Sequence, residues 1–192
     1  MRKIYILTTY TGTVLSSLIR KFTNVPYAHV SLGLDEHLDE VYSFGRKHVS
    51  NPIFAGFVRE YIDDGLYKKM RDTQCRIYSI ELDDNQYNEI IKIVDRFVAN
   101  KSKYKYDALA LIRLLRNNPK NNNDKYVCSQ FVAYVLEECG INLFDKPSKC
   151  VTPMDFYISS GLHIEYEGLL SEYRDYLDSK IYFKDNISVW YL

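Results

Sequence analysis

The sequence predicts an α+β fold, in which a mostly antiparallel sheet is packed against helices. Three observations carry this. Short strand-length segments recur at Lys3 to Thr9, Tyr27 to Leu34, Glu40 to Gly45 and Cys75 to Leu82. Two stretches, from Asp83/Asp84 to Val98 and from Asp124 to Gly140, repeat their apolar residues at helical spacing. The order is mixed, with hairpin neighbours followed by grouped helices rather than strict strand–helix alternation. The 192 residues are 46% hydrophobic and 26% charged, enough for one core, and no repeat or linker interrupts them. Residues 1–192 are therefore read as one domain.

In chain order, Lys3 to Thr9 is a first strand, and Thr11 or Thr13 caps a helix with Val14, Leu15, Leu18, Ile19 and Phe22 on one face. After the breaker Asn24-Val25-Pro26, residues Tyr27 to Leu34 alternate, Val30, Leu32 and Leu34 facing one way and His29, Ser31 and Gly33 the other. Asp35 to Asp39 is a turn, and Glu40 to Gly45 returns. If Leu34 pairs with Glu40, Ser43 becomes a same-face neighbour of His29. Arg46 to Gly56 reads as a loop and Phe57 to Lys69 as irregular, with one or two helical turns. Cys75 to Leu82 is a strand, and the helix after it buries Tyr87, Ile90, Ile91, Val94, Phe97 and Val98. Tyr104 to Asp107 leads into a helix at Ala108 to Leu115, and the basic, asparagine-rich loop that follows is read as solvated. Thr152-Pro153-Met154-Asp155 is a helix start, Leu162 to Tyr166 a strand, and the tail a helical turn with an edge strand.

Composition gives no argument for charge-driven partners. Lysine plus arginine and aspartate plus glutamate are 25 each, so no net field favours nucleic acid or an anionic membrane. No run of about 20 apolar residues marks a transmembrane segment, and MRKIYILTTY is not a secretory signal, which makes a cytoplasmic setting the default. Cys75, Cys128, Cys139 and Cys150 lack metal-ligand spacing, and Cys128 and Cys139 stand about 16 Å apart along a helix. Neither a metal, a cofactor nor a disulfide framework is expected. The 18 tyrosines suit half-buried positions and carry no function by themselves.

Chemistry centres on Cys128, in the first turn of the helix from Asp124 to Gly140. Val132, Val135 and Cys139 continue its stripe, so Cys128 faces inward. An inward cysteine is most often just a small buried residue. At a helix N-terminus, however, the partial positive charge favours a thiolate, and a histidine within reach makes it a nucleophile. His37 and His48 sit in loops. His29 and His163 both lie on alternating strands, His163 with Glu165 on the same face and His29 with Ser31 and Ser43; periodicity does not choose between them.

The ordered segments YAHVSLGLD, EVYSFGRK, YKYDALALI and KYVCSQFVAYVLEECGI, spread over about Lys3 to Ile141, resemble the circularly permuted branch of the NlpC-type papain-like cysteine hydrolases, the YiiX/YebB-like proteins. The resemblance implies a papain-like antiparallel sheet or small barrel against which the cysteine helix packs. It makes Cys128 the nucleophile and His29 the general base. The ring-orienting position, commonly a glutamate or other polar residue on the strand after the histidine strand, falls near Ser43, which is a departure. Tyr27 and Tyr106 become candidate substrate-binding residues. The implied reaction is hydrolysis of an amide, typically in cell-wall stem peptides, through a thioester. A lipid-directed acyl hydrolase or acyltransferase of the same fold, and a binding module that has lost its chemistry, are the alternatives; the substrate is accordingly a peptide or lipid-like small molecule.

Overall fold

The computed structural model describes residues 1–13, 16–17, 20, 25–48, 51–107 and 124–187. Among these, eight strands form one open sheet in the order β7-β6-β4-β3-β2-β1-β5-β8. The strands are β1 (Arg2–Tyr10), β2 (His29–Gly33), β3 (Val41–His48), β4 (Asn51–Glu60), β5 (Gln74–Leu82), β6 (Lys105–Tyr106), β7 (Lys125–Tyr126) and β8 (His163–Leu169). Every pairing is antiparallel except β6 with β7. Five helices accompany them: α1 (Gly65–Lys69), α2 (Asp84–Ala99), α3 (Cys128–Glu138), α4 (Pro153–Ile158) and α5 (Tyr173–Ile187). The α+β architecture is thus present, and its sheet is open rather than closed into a barrel.

Alternation along the strands divides the sheet into two faces. On one, Ile4, Ile6, Val30, Leu32, Phe44 and Phe57 meet α2 and α3. The rings of Phe44, Phe57, Phe97 and Phe131 interlock there at centroid distances of 5.0–6.1 Å. On the other face Tyr5, Leu7, Val41, Cys75 and Ile77 are covered by Tyr67 of α1 and by Tyr173 and Leu177 of α5.

The helix termini follow their local chemistry. Asp83 accepts from the Gln86 N–H at 2.8 Å while Gln86 returns to the Asp83 N–H, a capping box. Thr152 and Asp155 close the start of α4, the Asp155 carboxylate accepting from both N–H and hydroxyl of Thr152. Gly140 has φ +73°, and the Gly140 and Ile141 N–H groups bond the Glu137 and Leu136 carbonyls, which ends α3 in a Schellman motif.

Several boundaries differ from the sequence reading. Residues 51–60, read as loop and irregular chain, form β4, because the β3 hairpin continues past Gly45 with Gly45 opposite Gly56 and Val41 opposite Glu60. Asp124 does not cap α3. Lys125 and Tyr126 pair with β6, so the helix begins only at Cys128, and the Gln130 side chain accepts the Val127 N–H. Tyr173–Ile187 form the long helix α5, whose Tyr173 is fully buried, in place of the expected single turn, while residues 188–192 of the expected edge strand lie outside the described residues. The helix expected at Ala108 to Leu115 lies outside the described residues, as does most of the helix after Thr13.

Candidate active site

The β2–β3 pairing sets Leu32 opposite Tyr42 and Gly33 opposite Val41, and the Leu34 N–H bonds the Glu40 carbonyl at 2.9 Å. Continued by one residue past Leu32 and Tyr42, this register brings Ser43 beside Ser31 on the face that carries His29. The three side chains share one partner. Glu60, at the end of β4, accepts from Ser43 Oγ at 2.7 Å on Oε1 and from Ser31 Oγ at 2.6 Å on Oε2, and His29 Nε2 stands 2.8 Å from Oε1. Behind them the Tyr67 hydroxyl reaches Oε2 at 3.4 Å and lies 3.4 Å from Thr9 Oγ1.

With Nε2 committed to Glu60, Nδ1 is the ring nitrogen left to face Cys128, which lines the same cleft and interacts electrostatically with His29. Cys128 is the first residue of α3 and only 4% exposed. Helix and histidine come from opposite faces of the sheet and meet at its end, because His29 is the first residue of β2. Gly45 leaves the room for this. A Cβ there would lie 3.2 Å from Glu60 Oε1, 3.3 Å from Ser43 Oγ and 3.6 Å from His29 Cε1.

The electrostatics are mutually reinforcing. Burial disfavours a thiolate at Cys128, but the positive charge and hydrogen bond of His29, with backbone N–H groups of Val30 and Ser129, outweigh it and hold the thiol below its ordinary value. Burial likewise opposes the imidazolium, yet Glu60 and Cys128 together raise His29 well above its ordinary value. Glu60 is opposed by burial too, and His29, Ser31 and Ser43 bring it down to about 2. The arrangement favours thiolate, imidazolium and carboxylate in a row.

These groups line a cleft of about 640 Å³, open mouth included, together with Tyr106, Phe44, Arg46 and Thr13. Tyr27, also singled out in the sequence, is not part of it. Its hydroxyl donates to Glu167 at 2.7 Å and reaches the Cys75 carbonyl, away from the thiol. Ser43 lies beside His29, but the carboxylate that takes the ring nitrogen is Glu60, and Ser43 serves that carboxylate. His163 is exposed on β8 across from Ser79, and Glu165 is engaged by Lys3, Ser79 and Lys180 rather than by His163. His37 is exposed in the turn before β3, while the side chain of His48 lies outside the described residues.

Glu60 escaped the sequence reading because residues 57–69 looked irregular. Its signal was indirect: Ser31 and Ser43 both point to the histidine face, and two buried hydroxyl donors there require an acceptor. Among the described residues no cluster of three or more histidines, cysteines or carboxylates could hold a metal ion, and no helix is long and apolar enough to cross a membrane. No protein-family model matches the chain, and none of the curated proteins matches it.

Proposed function

We propose that this protein is a cysteine hydrolase that cleaves an amide bond through a thioester, as a peptidase or amidase. The observation that supports this reading is that Cys128, at the N-terminus of α3, shares one cleft with His29 and the Glu60 carboxylate that holds its ring. The order of histidine strand before cysteine helix is also that of the permuted NlpC-type hydrolases, which the sequence resembles.

The Cys128 thiolate attacks the carbonyl carbon, forming the S–C bond while the carbonyl π pair moves to oxygen. N–H groups of the first turn of α3, which lack helical carbonyl partners, hold that oxyanion. His29, held by Glu60, gives its Nδ1 proton to the leaving amine as the C–N bond breaks, which leaves an acyl thioester and neutral imidazole. Water then loses a proton to His29 and attacks the thioester; the C–S bond breaks, the carboxylic acid departs, and the thiolate–imidazolium pair is restored.

The apolar walls supplied by Ala28, Phe44, Ala55 and Leu66 favour a second reading in which the acyl group belongs to a lipid and the acceptor is water or another hydroxyl. Both readings share the acyl-enzyme, so one experiment tests them together. p-Nitrophenyl acetate should release nitrophenolate in a burst, intact-mass analysis should place one acetyl group on Cys128, and Cys128→Ala should abolish both. Absence of an acyl adduct on Cys128 in the folded wild-type protein overturns the proposal. A chain-length series of nitrophenyl esters against a peptide library then separates lipid from peptide.

A further inference from the structure

We infer that Arg46 and Thr13 form an anion-binding subsite in the Cys128 cleft, so that the acyl compound taken up there carries a carboxylate or phosphate group. The inference rests on the reading of Cys128 as the nucleophile and adds the chemical class of its substrate. Arg46 follows Gly45 on β3 and alternates onto the sheet face of Phe44 and α3, the side from which Cys128 enters the cleft. Its Nη2 donates to Thr13 Oγ1 at 2.8 Å. Thr13 is itself braced by Thr11 and Ser16, whose oxygens lie 3.2 Å from Thr13 Oγ1. One edge of the guanidinium is thereby pinned, and its remaining donors keep the planar fork geometry that suits a carboxylate or phosphate.

Charge compensation within the protein does not explain this residue. Arg59, Arg76 and Arg174 each stand within ion-pair distance of a carboxylate. Arg46, half-buried and facing a cleft, makes no ion pair among the described residues. Among the described residues Glu60 is the only carboxylate that lines the cleft, and its oxygens already serve His29, Ser31, Ser43 and Tyr67. A partly desolvated guanidinium without an anion is costly, and a ligand anion offsets that cost. Arg46, Tyr106 and Cys128 line one cleft, so a single bound compound can meet guanidinium and thiol together.

The test uses four bromoacetamides that alkylate a thiolate, the sulfur displacing bromide with its electron pair. They are bromoacetyl-glycine and bromoacetyl-β-alanine (carboxylates), bromoacetyl-phosphoethanolamine (phosphate) and bromoacetyl-ethanolamine (neutral). Labelling of Cys128 is followed by mass spectrometry at low ionic strength. At least one anionic reagent should label about tenfold faster than the neutral one, as expected for a hydrogen-bonded charge pair. That preference should fall to near parity in Arg46→Ala, persist in part in Arg46→Lys, and shrink as salt is added to the wild type. The better anionic arm identifies carboxylate or phosphate as the recognised group. Should wild-type Cys128 label equally with neutral and anionic reagents, or should Arg46→Ala keep the preference, the subsite is disproved while the nucleophile stands. A wild-type Cys128 that none of the four reagents labels instead overturns the nucleophile and, with it, the subsite. The wild-type comparison and its salt series decide the matter even if Arg46→Ala does not fold.

Discussion

At the scale of the residue, the four cysteines act as controls for one another. Burial pushes Cys75 up to about 12, and burial with nearby Glu89 pushes Cys139 up to about 11, whereas Cys128 is lowered by His29 against its own burial. Dilute iodoacetamide at about pH 6, below the ordinary thiol value of about 8.5, should therefore label Cys128 first, and His29→Ala should slow that labelling while His163→Ala leaves it unchanged. Peptide mapping of the alkylated protein reads the order. Glu60 and Ser43 separate in the same way. Glu60→Gln removes the charge that sustains the imidazolium and should lower kcat/KM about 10- to 100-fold, while Ser43→Ala removes one of several donors to Glu60 and should cost less. Ser43→Glu, which would answer a missing carboxylate, should instead impair folding and activity, because it sets a second acid where Ser43 Oγ now lies 2.7 Å from Glu60 Oε1. Equal activity of Glu60→Gln and wild type would remove Glu60 from the mechanism.

At the scale of the element, β4 and the glycine facing it set the geometry. Glu60 reaches His29 only because β4 runs antiparallel to β3 with Val41 opposite Glu60, across the strand that carries Ser43 and Gly45. Gly45 is needed for close approach, not for an unusual backbone conformation. A methyl group there meets Glu60 Oε1 at 3.2 Å and Ser43 Oγ at 3.3 Å, tight enough to displace them by tenths of an ångström. Gly45→Ala should thus reduce turnover severalfold with a change in stability of about 1 kcal/mol or less, since the atoms that must move are side-chain ends. Steady-state kinetics alongside urea unfolding checks this; a large loss of stability with unaltered turnover per folded molecule would count against the packing argument. The α3 terminus contributes in parallel, as Gln130 bonds the Val127 N–H and the Lys149 carbonyl and so holds the start of the helix beneath the cleft.

At the scale of the whole molecule, the sheet is covered on both faces and its charged centre ties stability to pH. Glu60 is depressed from 4.5 to about 2, so the stability it contributes is present above about pH 4.5 and is lost as pH falls toward 2. His29 is raised, so its contribution is full below pH 6.5 and fades as pH rises through its folded value. Together they should stabilise the protein most between about pH 4.5 and 6.5, and Glu60→Gln should flatten the acid limb seen in urea midpoints. Glu165, which burial opposes but Lys3, Ser79 and Lys180 lower to about 2, adds to the same limb. The far face offers a test with a different readout. Tyr173 is fully buried and donates to the Glu36 carbonyl at 2.8 Å, so Tyr173→Ala should destabilise by about 3–5 kcal/mol through lost packing. Alkylation of Cys128 in the protein that remains folded should keep its rate.

The sequence by itself determined what local chemistry controls: the mixed α+β order, the capping boxes of α2 and α4, the Gly140 terminus, and a cysteine facing inward from the first turn of a helix. Strand alternation also placed Ser31 and His29 on one face, whereas Ser43 joins them only through the β2–β3 register that the structure supplies. The choice between His29 and His163 was not local, because both lie on alternating strands and only the strand order shows which ring reaches α3. Glu60 was still less legible. Its role depends on β4 crossing beside β3, a pairing between residues 17 apart in sequence at Ser43 and Glu60 and 31 apart at His29 and Glu60. The same holds for Arg46, a basic residue in an apparent loop until the tertiary structure set it, with Thr13, in the cleft that holds the thiol. Periodicity reports which face a side chain takes; which distant side chains share that face is decided by packing, where a buried carboxylate is tolerated only when its donors close around it.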